Sequence, residues 1–377
     1  MDVEENIEKM KELQTIILDL LDCDDIERID DELKHISSLC LQFQQDRHKL
    51  KSILYLIDKI AKNHHRCFNF NDKIFQVLLI FKTQIKQTFS NNEIFEIFKS
   101  NNRILLFLIE EGLFQIDESI ALKMTNKNSK YKFSEYFWPE LKTYIEKATD
   151  EIVPEIPDDF DEKRRIGEND SYICKLIRKD LIEDFVSFVN QSNSNLEAVI
   201  DISPYETNRF LMKKKPTLIE YAAFFGSIQI LKYLFMNQVK LTASLWLYAI
   251  HGSNSEIIHF LEEQKVRPSD RTYNECIKES IKCHHNDIAA YFNDYISNDF
   301  DLWVSQQYFN GNIKQYSFHY YNYAFFPNDI NEKNNFYYAC NYDYYDIVEY
   351  FVNENNIDIN EKMILNVMFL LMQFKNN

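Results

Sequence analysis

Apolar residues recur along this chain every three or four positions and almost nowhere every two. Ile7, Met10, Leu13, Ile16, Ile17, Leu20 and Leu21 form one such series, and Leu50, Ile53, Leu54, Ile57 and Ile60 another, each with charged residues between. That spacing gathers the apolar side chains on one helix face and predicts amphipathic helices that need partners. The plainest pair lies between Pro216 and Phe235. Thr217 followed by Glu220 makes a capping box, in which each side chain satisfies an amide orphaned at a helix start, so a first helix begins near Leu218. Ala222 and Ala223 put little bulk on its middle turn and predict close approach by a neighbouring helix. Gly226 ends it, because glycine reaches the left-handed conformation that helix ends often need. Ser227 is the expected cap of a second helix carrying Ile228, Ile230, Leu231, Leu234 and Phe235.

The stretch from Thr217 to Leu234 resembles an ankyrin repeat. Thr217-Leu218-Ile219-Glu220-Tyr221-Ala222-Ala223 stands where ankyrins carry T-P-L-H-x-A, with Leu218 in place of the usual proline and Glu220 in place of the histidine. Together with Phe210-Leu211-Met212-Lys213-Lys214-Lys215 before it and Ser244 to Gly252 after it, the stretch is also similar to a family of protist ankyrin proteins whose N-terminal region is a domain of unknown function. The resemblance implies an architecture more than a task. It implies an all-α fold of helical hairpins stacked as an ankyrin-type solenoid, preceded by an N-terminal helical domain.

Aligning the start of each second helix on Asp180, Gly226, Ser253, His284, Gly311 and Asp343 gives spacings of 46, 27, 31, 27 and 32 residues, against an ankyrin period of about 33. The shorter steps leave room for two helices and a truncated finger. The longest carries 191–215, rich in Asn, Ser and then Lys, which is expected to be a loop of its own. With five glycines in 377 residues, the units are expected to be degenerate copies. Asn355 or Asn356 would replace the customary glycine at the end of the last hairpin, and Met363 to Phe374 has the spacing of a capping helix. Residues 1–148 read as an all-helical N-terminal domain, with Asn102 to Asp117 resembling a second helix and exit turn, so ankyrin-like structure begins as early as about residue 92. Residues 149–170, with Pro154, Pro157, a carboxylate run and then Lys163-Arg164-Arg165, read as an acidic linker. The solenoid then occupies 171–377.

Composition narrows the function. A net charge of −17 repels nucleic-acid phosphate and anionic membrane surfaces. No apolar run is long enough to span a bilayer, and the acidic start lacks a secretory pattern, so a cytoplasmic location is expected. Seven scattered cysteines read as reduced, individually buried thiols. The glycines are too far apart for a phosphate-binding loop, and no G-x-S-x-G, H-E-x-x-H or C-x-x-C occurs, so no enzyme, metal site or cofactor is expected. His64-His65-Arg66-Cys67, and Cys276 with Cys283-His284-His285, lack the paired spacing that clamps zinc. His284 and His285 fall where the inter-helix turn belongs.

Binding remains. A solenoid leaves one continuous surface whose residues the fold does not dictate. Carried over from the ankyrin pattern, its variable pairs before the inter-helix turns supply the candidate protein-binding face: Phe224, Phe225, His251, Lys282 and Tyr342. These large side chains are either exposed anchors or, for the two phenylalanines, packing against the adjacent repeat. The Tyr316 to Phe326 aromatics are expected in a core with their hydroxyls at the rim. Lys213-Lys214-Lys215 reads as a solvated loop, or as a feature that steers an acidic partner. Two functions fit: a non-catalytic protein-interaction module, or an adaptor whose N-terminal helices recruit an enzyme such as the ubiquitin-transfer machinery.

Overall fold

The structure, a computed structural model, describes residues 3–43, 46–126, 133, 135–148, 156–297, 313–327 and 329–354. Among them every regular element is a helix, apart from an isolated bridge between Val199 and Thr217. No described helix is long and apolar enough to cross a membrane. The chain divides into two compact units interleaved in sequence. Unit 1 draws on Met1–Ile60, Cys67–Ile80 and Asp270–Asn377 as far as these are described, and unit 2 on Ala61–Arg66 and Phe81–Ser269. The sequence pattern, by contrast, places its division at 149–170.

That segment is not a solvated linker where it is described. Phe160–Ile166 is a helix with Phe160 and Arg164 buried. Acids followed by bases pair along and across a helix instead of repelling: Lys163 meets Asp159 at 3.0 Å, and Arg164 meets Glu140 at 2.9 Å and Asp161 at 2.8 Å. Tyr136 donates its hydroxyl to the Arg164 carbonyl at 2.5 Å. Gly167 closes the helix in the left-handed conformation, φ 73°. Pro154 lies outside the described residues, as do Asn355, Asn356 and the expected capping helix.

The helix starts follow the sequence spacing. Helices begin at Ile182, Ile228, Ser255, Asn286 and Tyr345, each two residues past the position used to count the spacing; the position at Gly311 lies outside the described residues. At the described turns the residue in that position is left-handed: Asp180, Gly226, Ser253, His284 and Asp343 have φ between 49° and 71°. Four of these turns close with the next amide reaching back five residues, as Ser227 N–H does to the Ala222 carbonyl at 2.8 Å. The exit turns repeat the device at Gly112, Asn193, Gln238, Lys265 and Tyr321. Asn102–Glu110 is a helix followed by a left-handed Gly112, φ 65°.

Within unit 2, Thr217 and Glu220 form the expected capping box, with the Thr217 amide donating to the Glu220 carboxylate at 2.9 Å. Ser227 does not cap the second helix, which corrects the expectation. Its hydroxyl donates to the Ile177 carbonyl at 2.5 Å, and the helix start is capped by Asp180 of the preceding hairpin, whose carboxylate accepts the Gln229 and Ile230 amides at 3.0 Å each. Asn254 extends the series, donating to the Gly226 carbonyl at 3.1 Å. Successive turns are thus tied by side chains that reach both forward, as Asp180 does, and back, as Ser227 and Asn254 do. The predicted close approach also occurs. Ala222 and Ala223 are fully buried, and a Cβ added at Gly252 would fall inside the van der Waals envelope of the Ala223 carbonyl.

The 191–215 segment is more than a loop. It carries helix Arg209–Lys214 and buries Ile200, Tyr205 and Leu211. Glu206 is buried here, accepting the Asn208 amide at 2.7 Å and the Asn169 amide at 3.3 Å. Burial pushes its carboxyl up to about 7. Because the folded value lies above the ordinary carboxylate range, the stability it contributes is complete in mild acid below that range and is lost as pH rises through about 7. Scanning calorimetry should therefore show the melting temperature falling between about pH 5 and pH 8, and Glu206→Gln should flatten that fall. An unchanged slope in the variant would assign the pH dependence elsewhere.

In unit 1, helix Val3–Asp22 packs on Ile26–Cys40, Phe70–Ile80, Tyr323–Phe325 and Tyr345–Glu354. The contact is keyed by Gln14, 1% exposed, whose amide donates to Asn322 at 2.9 Å and accepts the Tyr323 amide at 2.6 Å. Asn322 in turn donates to the Ile281 carbonyl and to Asn286. Phe318, Tyr321, Tyr323 and Phe326 are buried as expected, yet the hydroxyls here are not all at a rim. Tyr321 donates to the Tyr342 carbonyl at 2.5 Å and Tyr344 to the Phe318 carbonyl at 2.9 Å. Buried phenols find backbone acceptors when no water is within reach. None of the cysteines is in a disulfide, and six of the seven are buried.

Candidate functional site

The five residues expected to form a binding face are placed very differently from one another. Phe224 and His251 are 2% and 1% exposed, so neither is an exposed anchor. Phe210, from the segment expected to be a loop of its own, covers both: its ring lies 6.0 Å from Phe224 and 4.2 Å from His251. Phe224 and His251 also stack on each other at 5.2 Å. Phe225 is half-buried, edge-on to Phe224 at 5.0 Å and beneath the Arg178 guanidinium at 5.9 Å. These three therefore make one aromatic core in unit 2. Lys282 and Tyr342 belong to unit 1. Lys282 is half-buried and paired with Glu279 at 2.5 Å, and Tyr342 is half-buried with its ring stacked 4.8 Å from that of His319.

An open feature of unit 2 lies at the other end of the hairpins. The exit turns after helices Ile228–Met236 and Ser255–Glu263 border an open, shallow cleft of about 540 Å³, with Phe235, Gln238, Lys240, Gln264, Lys265 and Arg267 along it. No lining residue is acidic. Lys240, Lys265 and Arg267 are exposed, and among the described residues none of the three has a carboxylate partner. Three cations thus gather in one cleft of a chain whose net charge is −17.

The cleft is built by the turn geometry. Gln238 and Lys265 are left-handed, φ 68° and 55°, and the residue after each donates back into the last helical turn: Val239 N–H to the Leu234 carbonyl at 3.1 Å, Val266 N–H to the Leu261 carbonyl at 3.0 Å. Val239 is then buried as the hydrophobic contact of that turn. Fully buried Trp246 donates its indole N–H to the Val266 carbonyl at 2.9 Å. Val239, Leu241, Ala243 and Val266 add apolar atoms to a largely polar lining, and Phe235 is edge-on to Phe260 at 5.3 Å. The cations thus stand on fixed backbone, which limits the entropy lost when a ligand binds. Lys240, Lys265 and Arg267 escaped the sequence reading because it sought the face at the inter-helix turns. The usable signal was the exit-turn register, which places a cation two residues past one helix end and again shortly after the other.

No family model, curated protein or solved structure matches the chain.

Proposed function

We propose that this chain is a protein-interaction module of ankyrin type, without chemistry of its own, which captures an acidic segment of a partner protein in the cleft between the exit turns of unit 2. One observation carries the reading: three exposed cations on hydrogen-bonded turns around an open cleft with no acid in its lining. Carboxylates of an extended peptide would meet Lys240, Lys265 and Arg267, with Gln238 and Gln264 able to donate to or accept from its backbone. The attribution to ankyrin-type repeats rests on the two-residue offset common to the five described helix starts and on the residues around Thr217 that resemble the signature. A cytoplasmic setting suits the seven cysteines outside any disulfide.

The test is an equilibrium titration of a fluorescent polyglutamate peptide against the full chain, with polyglutamine as the control. Saturable binding of the acidic peptide that weakens with added salt supports the proposal. No difference between the two peptides, or no binding of either, rejects it.

A further inference from the structure

Taking the cleft of unit 2 as the site of acidic capture, we propose that it selects its ligand by spacing: two carboxylates three residues apart on a segment in the polyproline II conformation, one held by Lys240 and the other by Arg267.

The two cations occupy the same position of successive hairpins. Each lies two residues past the left-handed residue of its exit turn, Gln238 or Lys265, and one past the valine whose amide donates back into the last helical turn. Equivalent positions of neighbouring hairpins are separated by the distance at which their helices pack, about 8–10 Å between axes. Helices Ile228–Met236 and Ser255–Glu263 are in such contact: the Phe235 and Phe260 rings lie 5.3 Å apart, and the Lys232 ammonium stands 4.0 Å from the Glu256 carboxylate. The turn itself does not require a cation. The exit turn after helix Ile182–Gln191 is built the same way, with Asn193 left-handed at φ 49° and the Ser194 amide donating to the Val189 carbonyl at 3.0 Å. It carries Asn195 where the next two carry Lys240 and Arg267. The paired charges are therefore a property of these two turns and not of the repeat.

That separation discriminates among the conformations of a bound segment. A β-strand rises about 3.3 Å per residue and alternates its side chains, so carboxylates on one face fall about 7 or 13 Å apart. Polyproline II completes a turn in three residues, which returns every third side chain to the same face about 9 Å further on. An α-helix comes close only between residues seven apart, at about 10.5 Å, and its backbone groups are already paired. Gln238 and Gln264 line the cleft, and their amides can donate only to carbonyls left open. Polyproline II leaves its carbonyls open.

Fluorescence anisotropy of labelled peptides with the full chain tests the spacing. Four repeats of Glu-Pro-Pro place an acid at every third residue. Two repeats of Glu-Glu-Pro-Pro-Pro-Pro have the same composition and charge but no two acids three apart. The first should bind about twofold to fivefold more tightly than the second, the worth of one exposed ion pair, and Lys240→Gln should abolish the difference. Equal binding of the two peptides, or a preference that survives Lys240→Gln, overturns the spacing and leaves acidic capture standing. If neither binds better than four repeats of Gln-Pro-Pro while polyglutamate does, the polyproline conformation is rejected. If polyglutamate fails as well, acidic capture falls and the spacing with it.

Discussion

Gly252→Ala should lower the melting temperature of the protein by about 2–8 °C, although alanine is the better helix former. Gly252 ends helix Leu245–Gly252, and its backbone needs no positive φ. What it needs is space. The added Cβ would press on the Ala223 carbonyl and lie 3.1 Å from the Phe224 carbonyl and 3.2 Å from the Gly226 amide. Those are backbone atoms of a turn already fixed by the Ser227 and Asn254 hydrogen bonds, so no side chain can swing aside. Overpacking of this kind costs about 2–3 kcal/mol, more than the roughly 1 kcal/mol that alanine gains over glycine in a helix. Gly112→Ala is the control. A Cβ there meets nothing within 4 Å, and only the φ of 65° resists it, at about 1 kcal/mol. If Gly252→Ala instead raised the melting temperature, the two neighbouring first helices would not be in the contact described.

Reversing the cleft charge, with Lys240→Glu, Lys265→Glu and Arg267→Glu together, should weaken polyglutamate binding by about thirty- to a hundredfold. Exposed pairs contribute about 0.2–1 kcal/mol each, and reversal turns each attraction into a repulsion. The total is about 2–3 kcal/mol, roughly a hundredfold in Kd at the upper end. Stability should change little, because the three side chains are exposed and have no partner among the described residues. Raising the ionic strength should weaken binding to the wild type and strengthen the residual binding to the variant, since screening acts on the repulsion as it does on the attraction. Unchanged affinity in the triple variant would remove the cleft from the account. A matching loss after Phe224→Ala carries a different meaning, because that ring is core: its removal should cost stability first.

The hairpins were legible in the sequence, and their offset shows why. Apolar spacing is a local property, and it located each second helix to within two residues even where glycine was missing. The turns stay left-handed with Asp180, Ser253, His284 or Asp343 in that role. Punctuation by residue type had been lost while punctuation by backbone was kept. What could not be read was whatever depends on a distant partner. Asp180 takes over the capping expected of Ser227 from one hairpin back. Phe210 roofs Phe224 and His251 from a segment whose composition suggested a loop, which converts two expected anchors into core. The Lys163-Arg164-Arg165 run seemed to belong to a solvated linker because its carboxylate partners Glu110 and Glu140 lie in earlier helices. The cleft is hidden for the same reason, since its cations come from two exit turns that only folding brings together.

The most direct test of the central claim is hydrogen exchange of the full chain with and without bound polyglutamate peptide. The account predicts slowed exchange in residues 235–243 and 264–267, with little change at the inter-helix turns that carry Phe224 and His251. Protection confined to those turns, or none within the two exit segments while the peptide is bound, would contradict it.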